Sequence, residues 1–128
     1  MKFLPMDNGW RVQVDYGELH ISGDKTFGYR PYQLMIASIV GCSGSVFRQI
    51  LKKQRVQIDH VEIDADVERN PQEANRIERI TLRYRIKGNH LNLTKLNKSL
   101  RIARKNCAMV RSVEESIQIE EEIHIVES

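Results

Sequence analysis

Two cysteines are the residues of this sequence best suited to covalent chemistry. Cys42 lies in the uncharged run IASIVGCSGS (residues 36–45), and Cys107 stands 65 residues later, after a basic segment. A thiolate can attack the O–O bond of a peroxide, become a sulfenic acid and be captured by a second thiol as a disulfide. The pair therefore suggests peroxide reduction, and the alternative is that Cys42 packs in the core as a small hydrophobic residue.

Activation of such a thiol requires a lowered pKa. A nearby cation or a helix N-terminus can supply it, because either one stabilises the thiolate. The candidate cations in the N-terminal part of the chain are Arg30, Lys25 and Arg11. The sequence spacing does not choose among these three side chains.

Composition is that of an ordinary globular protein. The chain has 128 residues, of which 41% are hydrophobic and 29% charged, so we expect a single domain over residues 1–128. The start of the chain, MKFLPMDNGW, has proline and aspartate where a signal peptide needs an apolar stretch, which predicts a cytoplasmic protein. Two cysteines in a reducing compartment favour free or redox-active thiols over a structural disulfide.

The elements that must position the cysteines follow from the hydrophobic periodicity. Strand-like alternation is predicted in two N-terminal segments, two central ones and one C-terminal one: WRVQVDY, ELHIS, HVEIDADVER, RIERITLRYRIKG and IQIEEEIHIVE (residues 117–127). Helical spacing is predicted for a long helix from Pro31 to Leu51, a second one ending near Asn106 and a short third one in AMVRSVEES. Because the first half of the long helix is apolar around most of its circumference, we expect that half to be buried centrally. The order of helices and paired strands indicates an α+β fold.

The segment RPYQLMIASIVGCSGSVFRQILKK resembles the central helix of the OsmC/Ohr family. In that family a proline, a leucine shortly after it and a run of small and aliphatic residues lead to a Gly/Ala-Cys, and Pro31, Leu34, Gly41 and Cys42 match this pattern. The second family cysteine lies after a basic helix at the spacing of Cys107. The order of predicted elements also agrees, so the resemblance covers essentially the whole chain.

The resemblance implies antiparallel sheets around a long central helix in an intertwined homodimer. It also implies thiol-dependent reduction of organic hydroperoxides, with Cys42 as the peroxidatic residue, Cys107 as the resolving one and a dithiol such as a lipoyl group as reductant. Arg30 is the arginine assigned to the catalytic site. No cofactor, metal ion, nucleic acid or membrane is expected to take part.

Two departures from the family pattern bear on activity. Active members carry a glutamate just after the proline, where this chain has Tyr32 and Gln33, and Ala108 replaces the proline that commonly follows the second cysteine. We therefore expect hydroperoxide reduction to be weakened by the missing carboxylate. The alternative is a non-catalytic member with a structural or small-ligand-binding role.

Two other classes of function compete with the thiol hypothesis. The second helix is basic and could follow a phosphate backbone, but its cations surround the helix and the net charge is only +3, so a solvated surface is favoured. A metal site would need ligands at paired spacings, and the four histidines (His20, His60, His90 and His124) show none.

Overall fold

The computed structural model describes residues 1–126, which form six strands and three α-helices in two three-stranded sheets. The chain divides into two compact units, Met1–Ala37 and Ser38–Ser128. The elements in chain order are β1 (Phe3–Met6), β2 (Gly9–Gln13), β3 (Glu18–Ile21), α1 (Pro31–Lys53), β4 (His60–Asn70), a 3-10 turn (Pro71–Glu73), β5 (Arg76–Lys87), α2 (Leu93–Lys105), α3 (Ala108–Val113) and β6 (Gln118–Val126). The mixture of helices and mostly antiparallel sheets confirms the α+β class.

The first unit contains the antiparallel sheet β1–β2–β3. The predicted hairpin is present, but β2 ends at Gln13, because Val14 and Gly17 exchange two backbone hydrogen bonds around a tight turn. Strand β1 was not predicted. It carries Pro5, which lacks a donor and is tolerated here at the edge of the sheet.

The second unit contains the sheet β4–β5–β6, in which β4 and β5 are antiparallel and β6 runs parallel to β5. The expectation of antiparallel sheets therefore holds for every pair except this one. The physical reason is the connection: α2 and α3 lie between β5 and β6 and return the chain to the same end of the sheet, as parallel pairing requires. The last residue of the predicted strand 117–127, Glu127, lies outside the described residues.

Helix α1 begins at Pro31, where a missing backbone N–H costs little. Its buried side chains form one stripe, with Ile39, Ser43, Phe47 and Leu51 four residues apart. The expectation that the N-terminal half is buried centrally is not met within a single chain, since Met35 remains 42% exposed. Length and composition alone would let α1 cross a membrane, and buried core helices of soluble proteins meet the same criterion.

The core of the second unit lies on one face of its sheet. Strand β5 contributes four completely buried side chains, Ile80, Leu82, Tyr84 and Ile86. Phe47 of α1 packs edge-to-face on Tyr84, with ring centroids 5.2 Å apart. Gly44 allows this close approach, because a Cβ there would lie 2.9 Å from the Cδ1 of Ile63 in β4. Gly44, two residues after Cys42, thus lets the helix pack closely on the sheet.

Candidate active site at the cysteine pair

Cys42 lies in the middle of α1 and is partly accessible to solvent, whereas Cys107 is completely buried. Neither forms a disulfide in the structure. Cys107 occupies the N-cap position of α3, and its sulfur accepts a hydrogen bond from the backbone N–H of Val110 at 3.5 Å. Cys107 therefore takes the place that Ser, Thr, Asp or Asn usually takes at the start of a helix.

Cys42 lies beside the segment that begins at Cys107. The pKa of Cys42 is lowered first by a hydrogen bond from the backbone N–H of Met109, then by one from the Cys107 side chain and, less strongly, by the backbone N–H of Ala108. All three contacts stabilise the thiolate more than the thiol. Partial burial opposes them without reversing the direction.

The pKa of Cys107 is shifted in the opposite direction. Burial raises the pKa of its thiol, and the neighbouring Cys42 raises that pKa further, while the N–H of Val110 opposes both effects. In the reduced pair, the thiolate is therefore more favoured at Cys42 than at Cys107. An accessible thiolate beside a buried thiol is an arrangement suited to attack at the first sulfur and disulfide closure by the second.

A group of polar side chains surrounds Ser43, the residue next to Cys42. The Ser43 hydroxyl is 2.5 Å from the Tyr84 hydroxyl and donates to Oε1 of Glu121 at 3.3 Å. The guanidinium of Arg104 opposes the effect of burial on Glu121, and burial leaves the pKa of this carboxyl above its usual range. Tyr84 is also completely buried, and its pKa is raised by desolvation. We call these four side chains the Ser43 network: Ser43, Tyr84, Glu121 and Arg104.

Two of the three cations expected from the sequence have other described contacts. Arg30 lies with its guanidinium carbon 4.8 Å from the centroid of the Tyr32 ring, and Arg11 pairs with Glu18 at 3.3 Å. Lys25 lies in the loop before α1. The groups that lower the pKa of Cys42, among the described residues, belong instead to the segment that begins at Cys107.

Sequence reasoning missed the backbone N–H groups of Ala108 and Met109, because a main-chain donor is independent of residue type. One indirect signal was available, since the short predicted helix begins directly after Cys107. Sequence reasoning also assigned no role to Glu121. Its position in the alternation, between Ile119 and Ile123, places it on the inner face of β6.

Comparison with known proteins identifies a family model that the sequence matches. Residues 22–122 match the sequence profile described as OsmC-like protein. No curated protein sequence is significantly similar to the chain.

Solved structures share the fold at low sequence identity. A hypothetical protein from Aquifex aeolicus superposes with a TM-score of 0.86 and 21% identity, covering 99% of this chain and 95% of that one. An OsmC-like protein from Mycoplasma pneumoniae gives a TM-score of 0.81 and 14% identity, with coverage of 96% and 92%. The organic hydroperoxide resistance protein OhrB of Bacillus subtilis gives 0.68 and 18%, with 96% of each chain covered.

Proposed function

Because the chain belongs to the OsmC-like protein family, we propose that it reduces organic hydroperoxides, with Cys42 as the peroxidatic thiol and Cys107 as the resolving thiol. The observation that carries the proposal is the opposite electrostatic environment of the two contacting thiols. Hydrogen bonds lower the pKa of the accessible Cys42, and burial raises the pKa of Cys107. The hydroperoxide resistance protein among the similar folds supports the choice of substrate class.

The first step is an attack by the Cys42 thiolate on one oxygen of the hydroperoxide. The S–O bond forms as the O–O bond breaks, so the sulfur loses two electrons, and the departing alkoxide takes a proton from solvent to become the alcohol. Cys42 is then a sulfenic acid. The backbone N–H groups of Met109 and Ala108 lower the pKa of Cys42 and so favour the thiolate that this step needs.

The second step joins the two sulfurs. The Cys107 sulfur attacks the sulfenic sulfur of Cys42, the hydroxyl leaves with the proton of the Cys107 thiol as water, and a disulfide remains. A small dithiol of the lipoyl class reduces the disulfide by two exchange reactions and becomes a cyclic disulfide.

We assign no cofactor to this reaction. We also propose a cytoplasmic location, because both thiols must be kept reduced.

Arg30 remains part of the proposed site as a cation that stabilises the thiolate or the departing alkoxide. Arg30→Ala is therefore expected to lower the rate of hydroperoxide reduction. Arg11→Ala is a suitable control, because Arg11 has its own carboxylate partner in Glu18 at 3.3 Å. Equal rates for the wild type and Arg30→Ala would remove Arg30 from the site.

We further propose that the working unit is a homodimer of this single-domain chain. Helix α1 leaves apolar side chains uncovered, among them Met35, which is 42% exposed. A second copy would cover this surface by burying apolar area. Sedimentation at micromolar concentration is expected to give twice the chain mass of 14.9 kDa, and a monomer mass would contradict the proposal.

A thiol titration tests the reaction. The reduced protein is mixed with one equivalent of tert-butyl hydroperoxide, and free thiols are counted before and after. We expect both thiols of each chain to be lost, and mass spectrometry to find a Cys42–Cys107 disulfide. Unchanged thiols would instead favour a non-catalytic family member in which Cys42 is a packing residue.

A further inference from the structure

The inner position of Glu121 on β6 calls for an explanation. Ile119 and Ile123 flank it on the same face and are buried, so an apolar side chain would continue the core. A carboxylate at this place loses hydration, as the raised pKa of Glu121 shows. For stability alone, a carboxylate is therefore less favourable here than an apolar side chain. The hydrogen bond that Glu121 accepts from Ser43 of α1 points to a different role.

The direction of the hydrogen bonds is determined by the number of available protons. Ser43 has one hydroxyl proton and donates it to Glu121, so the proton between Ser43 and Tyr84 must come from Tyr84. A chain of two hydrogen bonds therefore runs from the Tyr84 hydroxyl through the Ser43 hydroxyl to the Glu121 carboxylate. These two bonds connect α1 to both β5 and β6. Because Ser43 is the residue next to Cys42, these bonds set the rotation and height of the helical turn that carries Cys42.

Arg104 makes the corresponding connection for Cys107. The backbone N–H of Cys107 donates to the carbonyl of Arg104 at 3.3 Å. The guanidinium of Arg104 donates to the carbonyl of Ile119 in β6 at 2.6 Å and lies 3.8 Å from the carboxylate of Glu114, directly after α3. The segment that carries Cys107 is thus held at its start by the Arg104 backbone and at its end by the Arg104 side chain, which is also bonded to β6.

The segments that carry the two cysteines are therefore both hydrogen-bonded to the same short stretch of β6, residues 119–121. Cys42 is tied to it through Ser43 and Glu121, and Cys107 is tied to it through Arg104 and Ile119. We propose that the Ser43 network positions Cys42 against Cys107, so that the thiolate meets its backbone donors and the disulfide can close. Its members are positioning residues, since none of them is assigned contact with the hydroperoxide.

This inference rests on the proposed function, because it concerns the second chemical step of that reaction. In that step the sulfenic acid of Cys42 and the thiol of Cys107 give a disulfide and water. A disulfide requires Cα atoms within about 7 Å and oriented Cβ atoms. A displacement of about 1 Å can lower the rate of such a step by roughly 100-fold, so small changes in the network should be measurable.

The test measures closure without any hydroperoxide. The wild type and Ser43→Ala are equilibrated in buffers of reduced and oxidised dithiothreitol, and the fraction of Cys42–Cys107 disulfide gives the effective concentration of one thiol towards the other. The matched control is Ser99→Ala. Ser99 is also a buried helical serine, with 1% exposure, and donates one hydrogen bond to Gln54 at 2.9 Å.

We expect Ser43→Ala to lower the effective concentration about fivefold to tenfold, the size of one lost hydrogen bond, and Ser99→Ala to change it by less than about twofold. The pH midpoint for alkylation of Cys42 by iodoacetamide should rise in Ser43→Ala and stay constant in Ser99→Ala. Equal effects of the two variants on both readouts would overturn the inference, and so would a wild type that forms no disulfide.

Two further variants keep the test valid if Ser43→Ala does not fold. Tyr84→Phe removes the donor to Ser43 but keeps the ring that packs on Phe47, and Glu121→Gln keeps the shape but removes the charge. Both are expected to lower the effective concentration. If closure responds to these variants while tert-butyl hydroperoxide is not consumed, the proposed function fails and the positioning role stands. If hydroperoxide is consumed and closure does not respond, the positioning role fails alone.

Discussion

The two faces of strand β6 place the same residue type in different surroundings. Glu120 and Glu122 lie on the outer face, 3.5 Å from Arg79 and Arg83 respectively, among exposed side chains. Glu121, between them, faces inward and accepts a hydrogen bond from the buried Ser43. One strand therefore carries both a solvated charge pattern and a buried contact that bears on the cysteine site.

The difference in surroundings decides what each carboxylate contributes. Outer-face pairs are screened by water and salt, so they help to set the pairing of strands and add little to stability. The inner carboxylate has lost part of its hydration and depends on its partners in the protein. Perturbing the inner face should therefore affect chemistry and stability, whereas perturbing the outer face should affect neither strongly.

The largest effect is expected at the cysteines themselves. Cys42→Ser should abolish hydroperoxide consumption, because a serine hydroxyl stays protonated at neutral pH and does not act as a thiolate. Cys107→Ser should still react once, and its sulfenic acid should persist or proceed to the sulfinic acid under excess hydroperoxide. Consumption is followed by peroxide assay and the oxidation state by mass spectrometry. Turnover by Cys42→Ser would assign the reaction to another residue.

The pH dependence of alkylation should separate the two thiols next. In Cys107→Ala, the remaining Cys42 should react with iodoacetamide with a midpoint below the pKa of about 8.5 of an ordinary cysteine, because the backbone N–H groups of Met109 and Ala108 still lower its pKa after the Cys107 hydrogen bond is lost. In Cys42→Ala, the buried Cys107 should show a midpoint above that value. Rates are measured between pH 5 and pH 10. Coinciding midpoints would contradict the different environments of the two thiols.

A moderate effect on stability is expected from the inner glutamate. Glu121→Ala should lower the free energy of unfolding by about 1–3 kcal/mol, because Ser43 loses its acceptor in a buried position. Glu120→Ala is the matched outer-face control and should change the same quantity by less than about 0.5 kcal/mol. Urea titration of both variants measures the difference. Similar values for the two would remove the distinction between the faces.

The smallest effect is expected on the outer face of β4 and β5. Asp64 and Arg85 form a diagonal cross-strand ion pair there at 2.5 Å, and both side chains are about half exposed. A double-mutant cycle of Asp64→Asn and Arg85→Gln should give a coupling energy of about 0.2–1 kcal/mol at low salt, declining in 1 M sodium chloride because of screening. A larger, salt-independent coupling would show that exposed pairs contribute to this fold as buried contacts do.

Much of this comparison could be read from the sequence. The alternation in IQIEEEIHIVE places Ile119 and Ile123 on one face, and the same period places Glu121 with them. The partner of Glu121 could not be read in this way. Ser43 is 78 residues away along the chain, and nothing in the local pattern of either residue indicates the other.

The sequence by itself determined the local elements and the candidate thiols. Apolar periodicity predicted the long helix from Pro31 and the strand pair β4–β5, and the residue types alone made Cys42 and Cys107 the candidates for redox chemistry. These features depend on interactions between residues near one another in the chain or on intrinsic side-chain chemistry, so a single sequence contains them.

Tertiary structure alone decided how those parts meet. The parallel pairing of β6 with β5 depends on a crossover through α2 and α3, and the donors to Cys42 are backbone N–H groups of Ala108 and Met109. Long-range pairing depends on how distant segments pack, and main-chain donors are common to all residues except proline. For these physical reasons, the pairing of an accessible thiol of lowered pKa with a buried thiol of raised pKa becomes visible only in the folded chain.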